Sequence, residues 1–411
     1  MSTFTRNERP IVIAGGGIGG LACALALARR NFQVVVCEQA QQFGQVGAGL
    51  QVAPNALAVL EALGAGDCVR RQALLIERML LADGITGETI CDIPCGDRFE
   101  SRFGYPYAVA HRADVHGALL DRCRAEPSVK LRTDSRVEDY RIEEGGVVVT
   151  LKAGDEIPAK ALVAADGIRS RIRQCLIKDG EPKSAGAVIY RTLIPGKNIP
   201  KALQRPYPTL WAGPGAHLMC YPVSNWTQFN VGATVKVAAD DIEEGEAGIG
   251  EVVRTYTDWY APVSEILRLS SCYQRHIIRY RDPIDNWSDG PVTLLGDAAH
   301  PMAQYIAQGA AMALEDAICL ADQVDRHNGE VTAAFKAYQA IRIVRSARMQ
   351  LSSLMLDTLY HAGGIERSVR NSIFEGRTAE EYLDRLAWIF TPPAYVKDWR
   401  NRPPNAALFS P

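Results

Sequence analysis

No apolar run in this sequence reaches the about 18 residues that a bilayer-spanning helix needs. The best candidate, IGGLACALALA, is too short and is followed by two arginines. No long run of Lys or Arg occurs and the net charge is −2, so nucleic-acid or anionic-membrane binding has no support beyond the short cluster IRSRIR. The ten cysteines are scattered; only Cys91 and Cys95 lie close together, and no second pair completes a zinc spacing. They read as reduced, buried residues of a cytoplasmic chain. His111 and His116 are spaced poorly for a shared helical metal site, and no metal is expected. The start, MSTFTRNERP, is polar, so a cleavable leader is not expected. Internal repeats, low-complexity tracts, a Gly-x-Ser-x-Gly elbow and a phosphate-binding P-loop are also missing. What remains is ordinary for a globular enzyme: 47% hydrophobic and 22% charged residues. A length of 411 residues allows two or three domains.

The richest local pattern comes first. IVIAGGGIGGLACALALARRNFQVVVCEQ reads as strand, glycine turn, helix, strand, with the continuous apolar strands of a parallel sheet. Within it, Gly15-x-Gly17-x-x-Gly20 follows a strand and opens a helix, and Glu38 ends the next strand. That context makes a dinucleotide site the reading of choice. Gly15 permits the tight turn, Gly17 lets the backbone approach a pyrophosphate, and Gly20 lets helix and strand pack closely. The helix start offers unpaired N–H groups to phosphates, and Glu38 can accept from ribose hydroxyls. The motif alone does not choose between NAD and FAD.

Two further stretches repeat the strand-to-helix theme. ALVAADGIRSRIR runs an apolar strand into Asp166-Gly167 and a basic helix start. Asp166 is either a plain helix cap or part of the dinucleotide site. GDAAHPMAQYIAQGAAMALEDA follows the strand PVTLL and carries a buried-looking acid, Asp297, then His300, Gln304 and Tyr305, then a glycine turn into an apolar helix. Its backbone N–H groups suit an electron-rich ring edge that becomes anionic on reduction. His300 reads as a brace for the loop. Between these motifs, AVIYRTLIP, TLWAGPGAHLMCYPV and TQFNVGATVKV alternate like an inserted antiparallel sheet. AFKAYQAIRIVRSARMQLSSLMLDTLYH reads as one long helix and TAEEYLDRLAWIF as a short one.

In this order and spacing the three motifs resemble the single-component FAD-dependent aromatic hydroxylases, the group A flavoprotein monooxygenases with the para-hydroxybenzoate hydroxylase fold. The resemblance runs from Ile11 to about Arg348. It implies an α/β fold: an interrupted Rossmann-like FAD-binding domain (1–184 and 281–350), a β-rich substrate domain (185–280) and a helical C-terminal extension (351–411). It also implies that Gly15, Gly17, Gly20 and Glu38 hold the ADP half of FAD, that Arg112 in AHRADVHGAL meets the phosphate-ribityl region, and that Val137 offers a backbone contact at the adenine edge. Asp297 would take the ribityl chain, and Gly309 and Ala310 the ring edge. No second glycine fingerprint exists, in keeping with members that bind NADH or NADPH only transiently.

Within that family GQVGAGLQVAPNA, AHLMCYP and HPMAQYIAQGAAMALEDAICLAD resemble the 3-hydroxybenzoate 6-hydroxylases. The resemblance places His217 and Tyr221 on a sheet over the flavin, with Gln304 as a third polar group; Tyr107 is a further candidate for the pocket wall. Positions i and i+4 of a strand share a face, so His217 and Tyr221 can address one substrate. A phenol becomes a better nucleophile as it loses its proton, and a neutral histidine suits that task. His217 is assigned as the base, Gln304 as the group orienting the same hydroxyl, and Tyr221 as a hydrogen-bonding partner of the hydroxyl or the carboxylate. The expected reaction uses NADH, O₂ and a flavin C4a-hydroperoxide to convert 3-hydroxybenzoate to 2,5-dihydroxybenzoate. Relatives acting on 6-hydroxynicotinate carry a His where this chain has Gln51 and KPH where it has AQY, which weighs against a pyridine substrate. Salicylate hydroxylation and a flavin reductase without oxygen insertion are the other enzyme readings. The aromatic C-terminal helices leave a homodimer and an intramolecular cover both open.

Overall fold

The structure, a computed structural model, describes residues 9–44, 47–237 and 243–405. The polar start of the chain and Gln45-Val46 of the GQVGAG stretch lie outside the described residues. The apolar runs read as buried strands form one six-stranded sheet. Its order is Ser288–Asp289, Val292–Leu294, Ala161–Ala164, Ile11–Ala14, Val34–Cys37, Val129–Arg132. All pairings are parallel except the one at the Ser288 edge. The helix Ile18–Ala28 packs on it, and Gly309–Arg326 packs in turn against Ile18–Ala28. Burial on both faces is why these strands are continuously apolar rather than alternating. The consequence for function is positional. The strands that precede Gly15, Glu38, Asp166 and Gly296 are neighbours, so all three sequence motifs leave the sheet at the same, C-terminal edge, where open α/β sheets bind ligands.

The alternating middle region forms a second, eight-stranded sheet, almost wholly antiparallel: Gly245–Gly248, Cys272–Tyr280, Lys183–Pro195, Gln228–Lys236, Ala216–Val223, Thr209–Gly213, Arg78–Asp83, Thr89–Pro94. The last two strands come from the first segment of the chain and not from 185–280. Arg78–Asp83 joins by parallel pairing with Thr209–Gly213, a long-range contact that no local pattern announces. One face of this sheet covers a core of its own around Trp211, Phe229, Tyr256 and Tyr273; the other looks toward the first sheet.

The C-terminal part is helical, as its periodicity predicts. Val331–Tyr360 is one helix of 30 residues that runs straight through the boundary expected at 350. Ala379–Phe390 opens on a capping box in which the Thr378 side chain accepts from the Glu381 N–H and Glu381 from that of Thr378. Gly364–Phe374 is held to the sheet edge by a buried carboxylate, Asp83, which pairs with Arg367 at 2.7 Å and Arg370 at 2.8 Å. Three charges, Arg342, Glu315 and Asp316, are buried where the long helices cross, with the half-buried Arg345 beside them. Arg342 meets Asp316 at 2.7 Å and Glu315 at 2.5 Å, and Arg345 also meets Glu315 at 2.7 Å. Each acid has several partners, the condition for burying charge at acceptable cost.

Candidate active site

A cleft of about 890 Å³ runs between the C-terminal edge of the parallel sheet and the open face of the antiparallel one. At the parallel end it is lined by Gly15, Gly17, Glu38, Val137, Asp166 and Arg112. Gly15 has φ +103°, and a Cβ there would stand 2.3 Å from the Ala165 carbonyl oxygen; only glycine fits. Gly20 does not reach the cleft. It lies beneath the turn, where a Cβ would meet the Gly15 oxygen at 2.0 Å, so its role is close packing. The Glu38 carboxylate accepts from the Gly16 N–H at 2.8 Å and the Ala40 N–H at 2.9 Å, which fixes it at the cleft wall. Asp166 combines both of its readings. It lines the cleft while accepting from the Arg171 N–H at 2.8 Å, and Ser170, not Asp166, is the cap of the helix Arg171–Leu176.

The motif from Gly296 onward closes the middle of the cleft. Asp297 is exposed there rather than buried, because the turn Gly296–Ala298 tips it off the strand end. Gly309 and Ala310 begin the helix Gly309–Arg326 and line the cleft. His300 faces away. It is buried with Nε2 2.6 Å from Asp316 Oδ2, and Asp316 also accepts from the Gly296 N–H at 3.0 Å. His300 therefore braces the loop. Burial alone would push the Asp316 carboxyl up, but His300 and Arg342 outweigh it and hold the carboxyl down at about 2.

The antiparallel sheet supplies the other wall. His217, Met219 and Tyr221 alternate onto the cleft face of one strand, and the opposed positions Thr234, Gly232 and Asn230 lie on the next. His217 and Tyr221 are thus on one face as their spacing requires. Four residues of strand separate their Cα atoms by roughly 13 Å, so they address opposite ends of a single-ring ligand. Burial lowers the His217 pKa well below the usual range and the neighbouring His361 adds to this, while Asp357 opposes it; the ring is neutral. The Tyr221 hydroxyl is pushed up by burial, with Arg191 opposing, and stays protonated.

Gln304 lines the cleft, with its amide anchored: Oε1 accepts from Arg191 Nη2 at 2.5 Å and Nε2 donates to Thr234 Oγ1 at 3.2 Å. Tyr107 is not at the wall. Its hydroxyl donates to Gln51 Oε1 at 2.7 Å, and Gln51 is the residue that lines the cleft, so Tyr107 stands one layer behind. The sequence reading also missed Arg191, a cation on the cleft face beside Ile189. The alternation of Ile189 and Arg191 was the available signal. Tyr360, His361 and Asp357 carried none, being three polar residues at the end of a helix distant in sequence.

These residues fit a bound FAD. The helices Ile18–Ala28 and Gly309–Arg326 begin at the cleft, and neither has a side-chain cap at its N-terminus. The helix Arg112–Ala125, by contrast, is capped by the His111 side chain. Long helix starts without side-chain caps, facing a cleft beside a turn that admits only glycine, are a ready-made anion site. The chain matches the FAD binding domain family over residues 8–347. It belongs to that family. FAD is its cofactor, and Gly15, Gly17, Glu38 and Asp297 line the cleft. Among relatives it is 40% identical to the 3-hydroxybenzoate 6-hydroxylase of Polaromonas naphthalenivorans, over 93% of this chain and 96% of that one. It is 37% identical to the enzyme of that name from Klebsiella oxytoca, over 92% and 96%. An HpxO variant from Klebsiella pneumoniae complexed with FAD has the same fold, with TM-score 0.83 and 25% identity over 94% of this chain and 99% of that one. A salicylate hydroxylase substrate complex shares the fold at TM-score 0.81 and 21% identity, covering 98% and 100%. The chain stands with the FAD-dependent aromatic hydroxylases. Among the described residues there is no cluster that could hold a metal, and no helix is long and apolar enough to cross a membrane.

Proposed function

We propose that the protein is an NADH-dependent FAD monooxygenase that hydroxylates 3-hydroxybenzoate para to its hydroxyl, giving 2,5-dihydroxybenzoate. The observation that carries this reading is the pairing of a neutral, buried His217 with Tyr221 on one sheet face over the flavin cleft. The shared names of the relatives above support the same substrate. Bound FAD, reduced by NADH, supplies the activated oxygen that is transferred to the ring. The chain's own residues do the rest. His217 accepts the phenolic proton and so raises the electron density of the ring. Gln304, its amide held by Arg191 and Thr234, orients the hydroxyl. Tyr221 donates to the carboxylate at the far end, and the half-buried Arg191 supplies positive charge to an anionic ligand. The closed, largely buried wall of the sheet keeps water from the activated oxygen. Arg112, Val137, Gly309 and Ala310 hold the cofactor as the resemblance implies.

The reading extends to a cytoplasmic homodimer. The exposed apolar side chains Val344 (75% exposed), Met355 (73%) and Ile365 (78%) on neighbouring C-terminal helices support a self-association face. A panel of hydroxybenzoates, with O₂ uptake and product identification, tests the activity. Stimulated NADH oxidation with 2,5-dihydroxybenzoate as product is expected from 3-hydroxybenzoate. Stimulation by 6-hydroxynicotinate or salicylate alone overturns the substrate, and NADH oxidation without any hydroxylated product overturns the monooxygenase.

A further inference from the structure

Behind His217, away from the cleft, lies a second histidine. His217 Nδ1 and His361 Nε2 are 2.8 Å apart, and the two rings stack with centroids at 4.9 Å. On its other side His361 Nδ1 lies 2.9 Å from Asp357 Oδ1, and the other oxygen of that carboxylate accepts from Lys236 Nζ at 2.8 Å. The arrangement is rigid. His361 caps the 30-residue helix Val331–Tyr360, and its carbonyl accepts from the Gly215 N–H at 3.0 Å, in the turn that leads into the strand of His217. The Tyr256 hydroxyl donates to the His217 carbonyl at 2.9 Å. His361 Nδ1, Asp357 Oδ1 and the Tyr305 hydroxyl are buried without an aligned hydrogen bond. A buried polar cluster left unsaturated calls for a reason beyond structure.

We infer that Asp357, acting through His361, sets the tautomer of His217, and that His361 takes a proton from His217 as His217 accepts the substrate's, the Asp357 carboxylate stabilising the resulting imidazolium. The argument follows the protons. An ionised carboxylate only accepts, so the His361 proton must sit on Nδ1, facing Asp357. His361 Nε2 is then an acceptor, and His217 must carry its own proton on Nδ1 to donate to it. That leaves His217 Nε2 as the lone-pair nitrogen for the cleft. With no carboxylate at 357, nothing selects this tautomer over the one with its proton toward the substrate. When the phenolic proton moves to His217 Nε2, the Nδ1 proton passes to His361 Nε2. The products are a phenolate, a neutral His217 and a His361 imidazolium against the Asp357 carboxylate, so charge and protons balance. Asp357 is fit for this. Burial raises its carboxyl, but His361 and Lys236 outweigh that and hold it well below the usual carboxylate range. Tyr305 and Tyr360 pack their rings on His217 and, being pushed up by burial, do not compete for the proton. His361 and Asp357 are positioning residues; neither lines the cleft.

The inference rests on His217 as the base, and the test separates the two. The FAD-loaded oxidised protein is titrated with 3-hydroxybenzoate at neutral pH, without NADH, and the bound phenolate fraction is read from the ultraviolet difference spectrum. A free phenol with a pKa near 10 is almost wholly protonated there. The wild type is expected to show bound phenolate, and His217→Ala to abolish it. Asp357→Asn and His361→Leu are expected to lower it at least tenfold with the flavin spectrum unchanged. His361→Gln, whose amide oxygen can still accept from His217, should retain more than His361→Leu. If His217→Ala abolishes the phenolate but Asp357→Asn leaves it at the wild-type level, the relay is overturned and His217 stands. If His217→Ala itself leaves it unchanged, the base assignment falls and the relay with it. Should His361→Leu fail to fold, the Asp357→Asn titration decides.

Discussion

The two ends of the cleft are built from different materials. The parallel-sheet end is made of backbone: a glycine turn, two helix starts without side-chain caps and the ends of adjacent strands, with Glu38 and Asp166 fixed by backbone N–H groups. The antiparallel end is made of side chains: His217, Tyr221, Gln304 and Arg191, aligned by the period-2 face of a sheet. A backbone site tolerates few substitutions at its turns and recognises what all its ligands share, phosphate and ribose. A side-chain site can be altered residue by residue while its scaffold stays intact. The first kind suits a resident cofactor, and the second suits discrimination among aromatic acids.

The sharpest break in that comparison is at Gly15. Gly15→Ala puts a Cβ 2.3 Å from the Ala165 oxygen at a positive φ, and the variant is expected to purify without FAD, seen as loss of flavin absorbance relative to protein. Retention of stoichiometric FAD would contradict the backbone account. On the opposite wall, His217→Ala is expected to keep full flavin while slowing hydroxylation by about 10²–10³-fold, in the range of lost acid–base catalysis, with more peroxide released per NADH. An unchanged rate means that His217 is not the base.

The boundary between the two ends is held by buried charge. Asp316→Asn removes the partner of His300, of Arg342 and of the Gly296 N–H, and is expected to cost about 3 kcal/mol of stability in denaturant titration. The sign of its pH dependence follows from the lowered pKa. A carboxyl at about 2 in the folded state and about 3.9 unfolded contributes stability that is fully present above about pH 4. That stability fades as the pH falls from about 4 to about 2. The thermal midpoint of the wild type should drop over that window, and the Asp316→Asn variant should lack this part of the slope. The smallest effect is expected at Tyr107. Tyr107→Phe removes only the bond to Gln51, so a stability loss of about 1 kcal/mol with kcat nearly unchanged is expected. A large rise in KM for the aromatic acid would instead put the hydroxyl back at the pocket wall.

Legibility in the sequence follows the same division. Gly15, Gly17, Gly20 and Glu38 were readable because a pyrophosphate turn needs glycines at fixed spacing, and the next strand is close in sequence. His217 and Tyr221 were readable as one face because strand alternation is local. Gln304 was readable as polar, but its anchors, Arg191 and Thr234, come from other strands. Tyr107 was placed a layer too near the ligand, since nothing local says that Gln51 stands in front of it. The hairpin Arg78–Asp83 and Thr89–Pro94 escaped assignment to the second sheet because it joins that sheet through Arg78–Asp83, whose partner there, Thr209–Gly213, lies more than 100 residues away in the chain.

By itself, then, the sequence determined the parallel sheet, the cofactor turn, the helix starts and the shared face of His217 and Tyr221. Each depends on backbone geometry over a few consecutive residues. Only the tertiary structure decided that His300 turns into the Asp316–Arg342 network, that Arg191 meets Gln304, and that His361 and Asp357 stand behind His217. Those contacts join residues far apart in the chain. Their distances are set by how two sheets and a 30-residue helix pack together, which no local pattern encodes.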